Sequence, residues 1–280
     1  MRQMKTLFIS DLDGTLVLPN GHISEYTVNT INRFIEGGGC FTYATGRSYT
    51  GASAATGGIR LDFPVICNNG AFIFGKSKEV LREIYLGRPE IEDIRRKMRL
   101  LGVSPIVYSH ANGAERFSFI EDSGNAGLQS FLDRRRGDPR CRPASSEEDL
   151  YSGDVVLILY VCEKAERTGA LYDMVKTDCP VQAFYYKDFY TDSWWCEILP
   201  QNATKGAAAA QLKEALGFDR LVVFGDETND MSLFNLADES YAMANAVPEL
   251  KKIATSVIGS NEEDGVAKWF EANMMGSSRL

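Results

Sequence analysis

Two aspartates separated by one residue form the most chemically suggestive segment of this sequence. Residues 11–16 (DLDGTL) directly follow a predicted strand, residues 5–10, whose apolar run 7–9 is typical of a buried β-strand. Because Gly14 frees the turn, Asp11 and Asp13 can lie near the end of that strand and share one hard cation through oxygen ligands. An Asp-rich turn without any function remains the simpler interpretation of the two aspartates taken alone.

A second acidic loop, residues 225–230 (GDETND), follows another apolar run near the end of the chain. Thr228 or Asn229 could cap a helix that begins there, and Asp230 would suit the positive end of that helix. Capping and metal binding are compatible, so the capping interpretation does not exclude a ligand role. Two acidic loops after neighbouring strands predict a Mg²⁺ site, with waters and substrate filling the remaining octahedral positions.

Thr45 and Lys205 could together hold an anion. Thr45 and Gly46 stand where a second predicted strand ends and a helix is predicted to begin. A hydroxyl and free backbone N–H groups at a helix amino terminus can bind phosphate. Lys205 opens a predicted Ala-rich helix, where a cation is unfavourable with the helix dipole unless an anion binds nearby. A capping threonine and a surface lysine remain the alternatives.

These residue types describe one reaction when they are combined. The chain has only 2 His, so acid–base chemistry is better sought among its carboxylates. A carboxylate nucleophile and a second carboxylate as acid and base would act beside a hydroxyl and an ammonium that hold phosphate oxygens. With Mg²⁺ to neutralise charge, this set suffices for phosphoryl transfer through an aspartyl phosphate.

The elements that position these residues alternate between strands and helices at both ends of the chain. Strands are predicted over 5–10, 40–44, 64–67, 71–74 and 221–224, and helices after Ser24 and over 205–216 and 229–236. This alternation predicts an α/β fold with a doubly wound parallel sheet that helices cover on both faces. Ligands of such sheets bind beyond the carboxyl ends of the strands, where the acidic loops are predicted.

The middle of the chain has a different pattern of residues from the two ends, and this pattern predicts an inserted domain. Long polar connections separate helical segments at 91–101, 126–134 and 163–176 from strands at 155–161 and 181–185. We therefore expect an α+β insertion over residues 81–188 within one α/β domain formed by residues 1–80 and 189–280.

Composition and charge narrow the classes of partner. The 280 residues carry a formal net charge of −8 and a pI near 5.0, so a nucleic-acid partner is not expected. The longest aliphatic run, residues 155–162, is under half of the ~20 residues that span a bilayer, and a membrane partner is not expected either. Six scattered cysteines and the lack of a secretory signal predict reduced thiols in a cytoplasmic protein. The oligomeric state stays open.

The four motifs in their order resemble those of the haloacid dehalogenase-like hydrolases. They are DLDGTL at 11–16, Thr45 in ATGR, Lys205, and GDETND at 225–230, with a large insertion between the second and third. The insertion after the NNGA segment, residues 68–71, resembles the Cof-type phosphatases, which carry a large α/β cap of the C2 type. Residues 197–200 (EILP) and 243–246 (MANA) also resemble that subgroup, although Ala244 stands where the subgroup often has Gly.

The resemblance implies a role for each matching residue. Asp11 would be the nucleophile, and Asp13 would protonate the leaving oxygen and then activate water. The Asp11 carboxylate, the Asp13 backbone carbonyl and Asp226 would hold Mg²⁺, with Asp230 nearby. Residues implied to contact the phosphate or border the substrate entrance are Thr45, Gly46, Lys205, Asn229 and Asn69.

The resulting hypothesis is a Mg²⁺-dependent phosphatase of small phosphorylated metabolites, with sugar phosphates as the expected class. Phosphatases of sucrose phosphate and of mannosyl-phosphoglycerate share this cap type and are the nearest alternative, whereas mutases of the family usually have a small helical cap. A phospho-accepting signalling domain is the alternative from another class. Asp13 argues against it, because an acid two residues beyond the nucleophile hastens hydrolysis. A catalytically silent binding protein is the third possibility.

Overall fold

The protein divides into two compact units in the computed structural model, which describes residues 4–111 and 114–275. The first unit contains the chain up to Glu83 and from Ala203 onward, and the second unit contains Ile84–Asn202. The second unit therefore interrupts the first, and two distant stretches of sequence build the first unit.

Within residues 4–83, the first unit contains five strands and two α-helices. Ser24 caps the first helix, as the sequence predicts, because its side chain accepts a hydrogen bond from the backbone N–H of Thr27. The elements are β1 (Thr6–Ser10), α1 (Glu25–Glu36), β2 (Cys40–Tyr43), α2 (Tyr49–Thr56), β3 (Val65–Cys67), β4 (Phe72–Phe74) and β5 (Val80–Glu83).

The second unit is an α+β domain with its own mixed sheet. Its elements are α3 (Arg88–Leu101), β6 (Ile106–Ala111), β7 (Ala114–Phe119), α4 (Ala126–Asp133), β8 (Cys141–Pro143), α5 (Glu147–Leu150), β9 (Asp154–Cys162), α6 (Ala165–Asp178), β10 (Val181–Lys187) and β11 (Trp194–Pro200). The six strands lie in the order β10-β11-β9-β6-β7-β8, and only β7 and β8 pair in parallel. Ile94 and Met98 of α3 pack with Leu171 and Val175 of α6 in the apolar core of this unit.

The carboxyl-terminal part of the first unit completes the parallel sheet. Its elements are α7 (Lys205–Leu216), β12 (Arg220–Gly225), α8 (Met231–Phe234), β13 (Glu239–Met243), α9 (Pro248–Ile253), β14 (Ser256–Ile258) and α10 (Gly265–Phe270). Thr204 caps α7, and Gly217 ends it in a left-handed conformation with φ of 66°.

The main sheet has the strand order β14-β13-β12-β1-β2, and all of its strands run in parallel. This arrangement confirms the predicted α/β fold with a parallel sheet. β1 lies inside the sheet, and its residues Leu7 and Ile9 are fully buried. Phe8 packs against Phe34 of α1 and Phe270 of α10, with ring centroids 5.1 and 5.3 Å away. This aromatic contact anchors both helices on the sheet.

The boundaries of the inserted unit differ from the predicted residues 81–188. β5 pairs with β4, so residues 81–83 belong to the first unit. β11 pairs with β9 and β10, so residues 189–202 belong to the second. The pairing of β5 with β4 and of β11 with β10 and β9 sets the two limits, and the local composition at residues 81 and 188 does not record this pairing.

All six cysteines lie in the described part of the chain and are free thiols, so no disulfide stabilises either unit. Within residues 4–111 and 114–275, no helix combines the length and the apolar composition that crossing a bilayer requires.

Candidate active site

The carboxyl ends of three neighbouring strands bring the predicted motifs to one edge of the main sheet. Ser10, the last residue of β1, is in register with Tyr43 of β2 on one side and with Phe224 of β12 on the other. The backbone N–H of Asp11 then donates to the carbonyl of Phe224 at 2.9 Å. Parallel register therefore places the three loops that follow these strands side by side.

Three aspartates from these loops form an acidic cluster. Carboxylate oxygens of Asp11, Asp226 and Asp230 all lie within 4.8 Å of one another. Asp11 is 4% exposed and Asp230 is fully buried. Like charges this close repel strongly away from water, so the cluster needs positive charge to remain ionised.

Lys205 supplies part of that charge from the first turn of α7. Its side chain is fully buried, and its Nζ lies 2.7 Å from Oδ1 of Asp11 and 2.7 Å from Oδ1 of Asp230. Burial alone would lower the pKa of Lys205, but the two carboxylates outweigh that effect and raise it. Lys205 is therefore a fixed cation that contacts both acidic loops.

One ammonium does not balance three carboxylates. Burial raises the pKa of Asp11 to about 7 despite the opposing effect of Lys205. Burial and the charges of Asp11 and Asp230 hold the pKa of Asp226 well above its usual range. Clustered carboxylates that the protein leaves undercompensated are a suitable donor set for a hard divalent cation such as Mg²⁺.

Gly14 and Thr15 bring the first acidic loop against Asp226. The hydroxyl of Thr15 donates to Oδ1 of Asp226 at 2.7 Å. Gly14 has φ of 77°, and a Cβ atom there would collide with the carboxylate of Asp226. Glycine is therefore required both for the left-handed backbone and for the close approach of the two loops.

Asp13 does not join the acidic cluster through its side chain. Its two carboxylate oxygens accept hydrogen bonds from Nη2 and Nε of Arg47 at 2.6 and 2.8 Å. The Asp13 side chain is 28% exposed, so water or a ligand can reach it. Sequence reasoning missed Arg47, although its place two residues after Thr45 in the ATGR segment was the available signal.

Thr45 lies at the predicted edge of the sheet but not at a helix start. α2 begins at Tyr49, and Ser48 caps it by accepting from the N–H of Gly51. The predicted helix start directly after Thr45 is therefore wrong, because residues 46 and 47 connect Thr45 to the cap. Thr45 is fully buried, and its hydroxyl accepts from the N–H of Arg47 at 3.1 Å.

The asparagine turn after β3 lies against this connection. Asn69 is 1% exposed and has φ of 52°, and its backbone N–H donates to the carbonyl of Thr45 at 2.9 Å. Its Oδ1 accepts from Nδ2 of Asn229 at 3.0 Å. A Cβ atom on Gly46 would lie 3.3 Å from that same oxygen. Asn69 thus contacts Asn229 directly and links the second and fourth motifs.

Asn229 carries an unsatisfied acceptor in this arrangement. Its Oδ1 atom is buried and has no hydrogen-bond partner among the described residues. A buried carbonyl oxygen without a donor costs about 1–3 kcal/mol, so this atom is a candidate contact for a ligand or water.

The GDETND segment folds differently from the predicted helix over 229–236. A 3₁₀ turn spans Thr228–Asp230, and α8 follows it as a single turn. Glu227 caps the turn, whereas the sequence favoured Thr228 or Asn229 as the cap. The second carboxylate oxygen of Asp230 accepts from the N–H groups of Asp226 and Glu227 at 3.0 and 3.1 Å. Asp230 thus fixes the loop that carries Asp226 and also binds Lys205.

A protein-family model matches most of the chain. The family described as haloacid dehalogenase-like hydrolase matches residues 8–270. The match spans all four motifs and the inserted unit.

Curated relatives of similar length are named phosphatases. A 5-amino-6-(5-phospho-D-ribitylamino)uracil phosphatase of Bacillus subtilis is 25% identical over 272 residues, which cover 95% of this chain and 96% of the relative. An HMP-PP phosphatase of Klebsiella pneumoniae is 26% identical over 254 residues, which cover 89% of this chain and 87% of the relative.

A solved structure shows the same fold. A haloacid dehalogenase-like hydrolase from Bacteroides thetaiotaomicron superposes with a TM-score of 0.76 at 24% identity. The superposition covers 96% of this chain and 99% of that chain.

Proposed function

Because the chain belongs to the haloacid dehalogenase-like hydrolases and is a phosphatase of small phosphorylated compounds, we propose that it uses Mg²⁺ and an aspartyl phosphate on Asp11. The Cof-type resemblance drawn from the motifs is confirmed by this family membership. The observation that carries the proposal is the cluster of Asp11, Asp226 and Asp230 around the buried ammonium of Lys205.

The first step forms the phosphoenzyme on Asp11. A carboxylate oxygen of Asp11 attacks phosphorus, the bond from phosphorus to the leaving oxygen breaks, and Asp13 donates its proton to that oxygen. Arg47 donates to both oxygens of Asp13 and fixes the plane of that group, and one of these two hydrogen bonds breaks when Asp13 takes up the proton that it donates.

The second step regenerates the enzyme with water. Asp13, now a carboxylate, takes a proton from water while the water oxygen attacks phosphorus. The bond between phosphorus and the Asp11 oxygen breaks, and inorganic phosphate leaves. The exposed part of the Asp13 side chain supports this role, because a general base must reach water.

The residues that would hold Mg²⁺ are Asp11, Asp226 and the backbone carbonyl of Asp13. The bound ion supplies positive charge next to the developing charge of the phosphoryl oxygens. Both carboxylate oxygens of Asp230 are engaged by Lys205 and by the loop backbone, which favours a role in orienting Asp226. Direct ligation by Asp230 is the alternative.

Thr45, Gly46, Lys205 and Asn229 are proposed to contact the phosphoryl oxygens. Lys205 and Thr45 are held rigidly by burial, and rigid donors stabilise a transition state without reorganising. Asn69 is proposed to contribute by orienting Asn229, since the two side chains are hydrogen-bonded.

The proposed substrate is a small phosphorylated metabolite, with sugar phosphates as the expected class. The proposed location of the protein is the cytoplasm. The relatives named for a phosphoribitylaminouracil and for HMP-PP support compounds of this size. The alternative is a sugar phosphatase that resembles the phosphatases of sucrose phosphate and of mannosyl-phosphoglycerate.

The test is phosphate release from a panel of sugar phosphates, nucleotides, phosphorylated cofactors and p-nitrophenyl phosphate with Mg²⁺. Asp11→Asn should lower the rate at least about 10³-fold, because an amide is a poor nucleophile. Asp219→Asn is the matched control, since Asp219 is exposed at the amino end of β12, opposite to the acidic edge.

Three results would count against the mechanism. Equal rates for the parent and Asp11→Asn would exclude Asp11 as nucleophile, and full activity after exhaustive EDTA treatment would exclude the metal. Stable phosphoprotein formed from acetyl phosphate, without turnover of any substrate, would favour the signalling alternative.

A further inference from the structure

The segment 243–246 (MANA), which begins with the last residue of β13, has no role in the reaction described above. Asn245 of this segment is exposed, yet its side chain makes two hydrogen bonds. Its Nδ2 donates to the carbonyl of Gly14 at 2.8 Å, and its Oδ1 accepts from the backbone N–H of Asn261 at 3.3 Å. Asn245 therefore connects the end of β13 with the first acidic loop.

Asn261 extends this connection along the same loop. It is 5% exposed, and its Nδ2 donates to the carbonyl of Val17 at 2.8 Å. The loop after β1 is thus held at Gly14 by one asparagine and at Val17 by another. Because the N–H of Asn261 also binds Asn245, the two side chains act as one brace.

The segment also binds the second acidic loop. The backbone N–H of Val247 donates to the carbonyl of Asp226 at 2.9 Å. Residues 245–247 therefore contact both loops whose carboxylates form the acidic cluster. A segment that bonds to two loops at once sets the distance between them.

That distance is critical at this place. The Gly14 backbone approaches Asp226 so closely that it leaves no room for a Cβ atom, and Thr15 is hydrogen-bonded to the same carboxylate. Mutual repulsion of Asp11 and Asp226 favours separation of the loops. Mg²⁺ and Mn²⁺ require oxygen ligands in near-octahedral geometry, so a small separation weakens binding.

We propose that Asn245, held by Asn261, is a positioning residue that fixes the spacing of the Asp11 and Asp226 loops for a divalent cation. This inference rests on the cation site of the proposed function, but not on the identity of the phosphorylated substrate. Asn245 itself touches neither the cation nor the substrate in this role.

The direct test is Mn²⁺ binding to the full-length, EDTA-stripped protein, measured by isothermal titration calorimetry. Asn245→Ala should raise the Mn²⁺ dissociation constant about 10-fold, as loss of a partner that orients a ligand typically does. The matched control is Asn32→Ala. Asn32 makes the same kind of bridge, donating to the carbonyl of Gly58 and accepting from the N–H of Arg60 at 2.9 Å each. Asn32→Ala should leave Mn²⁺ affinity unchanged.

A second variant separates positioning from charge. Asn245→Asp keeps the size of the side chain and the acceptor for Asn261, but loses the donor to Gly14 and adds a negative charge. Charge alone would tighten Mn²⁺ binding, whereas loss of the brace weakens it. Asn261→Ala should weaken binding in the same direction, since it removes the bond to Val17.

The outcomes for this proposal and for the proposed function are distinct. Parent-like Mn²⁺ affinity in Asn245→Ala, tighter binding in Asn245→Asp, or failure of the parent to bind Mn²⁺ would each overturn the proposal. In steady state, the Mg²⁺ concentration for half-maximal activity should rise while kcat at saturating Mg²⁺ stays near that of the parent. Absence of phosphate release from the parent would refute the proposed function, and weakened Mn²⁺ binding in the variants would still support the brace.

Discussion

Each unit of this protein contains a buried lysine beside aspartates, and the two surroundings differ in their balance of charge. Lys97 of α3 has a side chain that is 3% exposed, and its Nζ lies 2.9 Å from Oδ2 of Asp93. Asp93 also accepts from the thiol of Cys179 at 2.7 Å and from Arg96. Lys205 of α7, by contrast, is one cation among three carboxylates.

The carboxylates respond in opposite directions. Hydrogen bonds from Cys179, Lys97 and Arg96 lower the pKa of Asp93, so this group is stabilised as an anion. Burial raises the pKa of Asp11 to about 7, because Lys205 does not compensate for it. The same residue types thus stabilise the fold in one unit and create a demand for a cation in the other. The two carboxylates differ both in burial, since Asp11 is 4% exposed and the side chain of Asp93 is 27% exposed, and in the number of donors that each one accepts from.

Replacing each lysine in turn gives the largest expected difference. Lys205→Met should lower kcat roughly 10³-fold, since it removes a buried cation from the reacting centre. Lys97→Met should retain the kcat of the parent and lose only stability. Steady-state phosphate release with Mg²⁺ measures both variants. Similar losses of kcat in Lys205→Met and Lys97→Met would show that the different surroundings of the two lysines do not give them different roles in the reaction.

A second difference concerns two bidentate pairs of arginine and aspartate. Arg140 of the inserted unit binds both oxygens of Asp138 at 3.0 and 2.7 Å, much as Arg47 binds Asp13. Arg47→Lys should lower kcat about 10²-fold, because lysine keeps the charge but cannot hold the plane of a general acid.

Arg140→Lys is the control for that prediction. It keeps the charge of its own pair and should leave kcat unchanged. If Arg47→Lys were also silent in the same phosphate-release assay, the positioning of Asp13 by Arg47 would be refuted.

Asp93→Asn should affect stability and spare catalysis. The change leaves the buried ammonium of Lys97 poorly compensated. We expect a loss of about 1–3 kcal/mol, between the values typical of exposed and buried ion pairs. Thermal unfolding, followed together with kcat, checks this. A fall in kcat without a fall in melting temperature would assign Asp93 a role in the reaction.

The smallest expected effect is the pH dependence of that stability. Because the pKa of Asp93 is lowered in the folded protein, its contribution is complete above about pH 4, the ordinary value for aspartate. It is lost as the pH falls through the lower folded value. The difference in melting temperature between the parent and Asp93→Asn should therefore be largest near pH 7 and shrink towards pH 3. A constant difference across this range would contradict the lowered pKa.

The sequence predicted the acidic edge well because its motifs are local. Asp11 and Asp226 each follow an apolar strand, and parallel strands leave their carboxyl ends at the same edge. A cation at a helix start is unfavourable, which made Lys205 a candidate, and the resemblance of the four motifs assigned it to the phosphate. Its burial between Asp11 and Asp230 explains why it is there.

Other features depend on partners far apart in the chain and were not predictable from local patterns. The pairing of Arg47 with Asp13 and the bond from Asn245 to Gly14 each require the tertiary fold. Two predicted helix starts are wrong because another residue nearby caps the helix or turn instead. Ser48 caps α2 in place of a start directly after Thr45, and Glu227 caps a 3₁₀ turn where a longer helix was expected.

The position of β1 between β2 and β12 has a consequence for the order in which the nascent chain can fold. Asp11 and Lys205 are 194 positions apart, so at typical elongation rates roughly 10 to 40 s separate their synthesis. The contiguous inserted unit, Ile84–Asn202, is fully synthesised before Lys205 and β12 exist. We therefore expect the inserted unit to fold first on the ribosome. During that interval β1 exposes an unpaired edge, so this period is when the chain is most prone to aggregation.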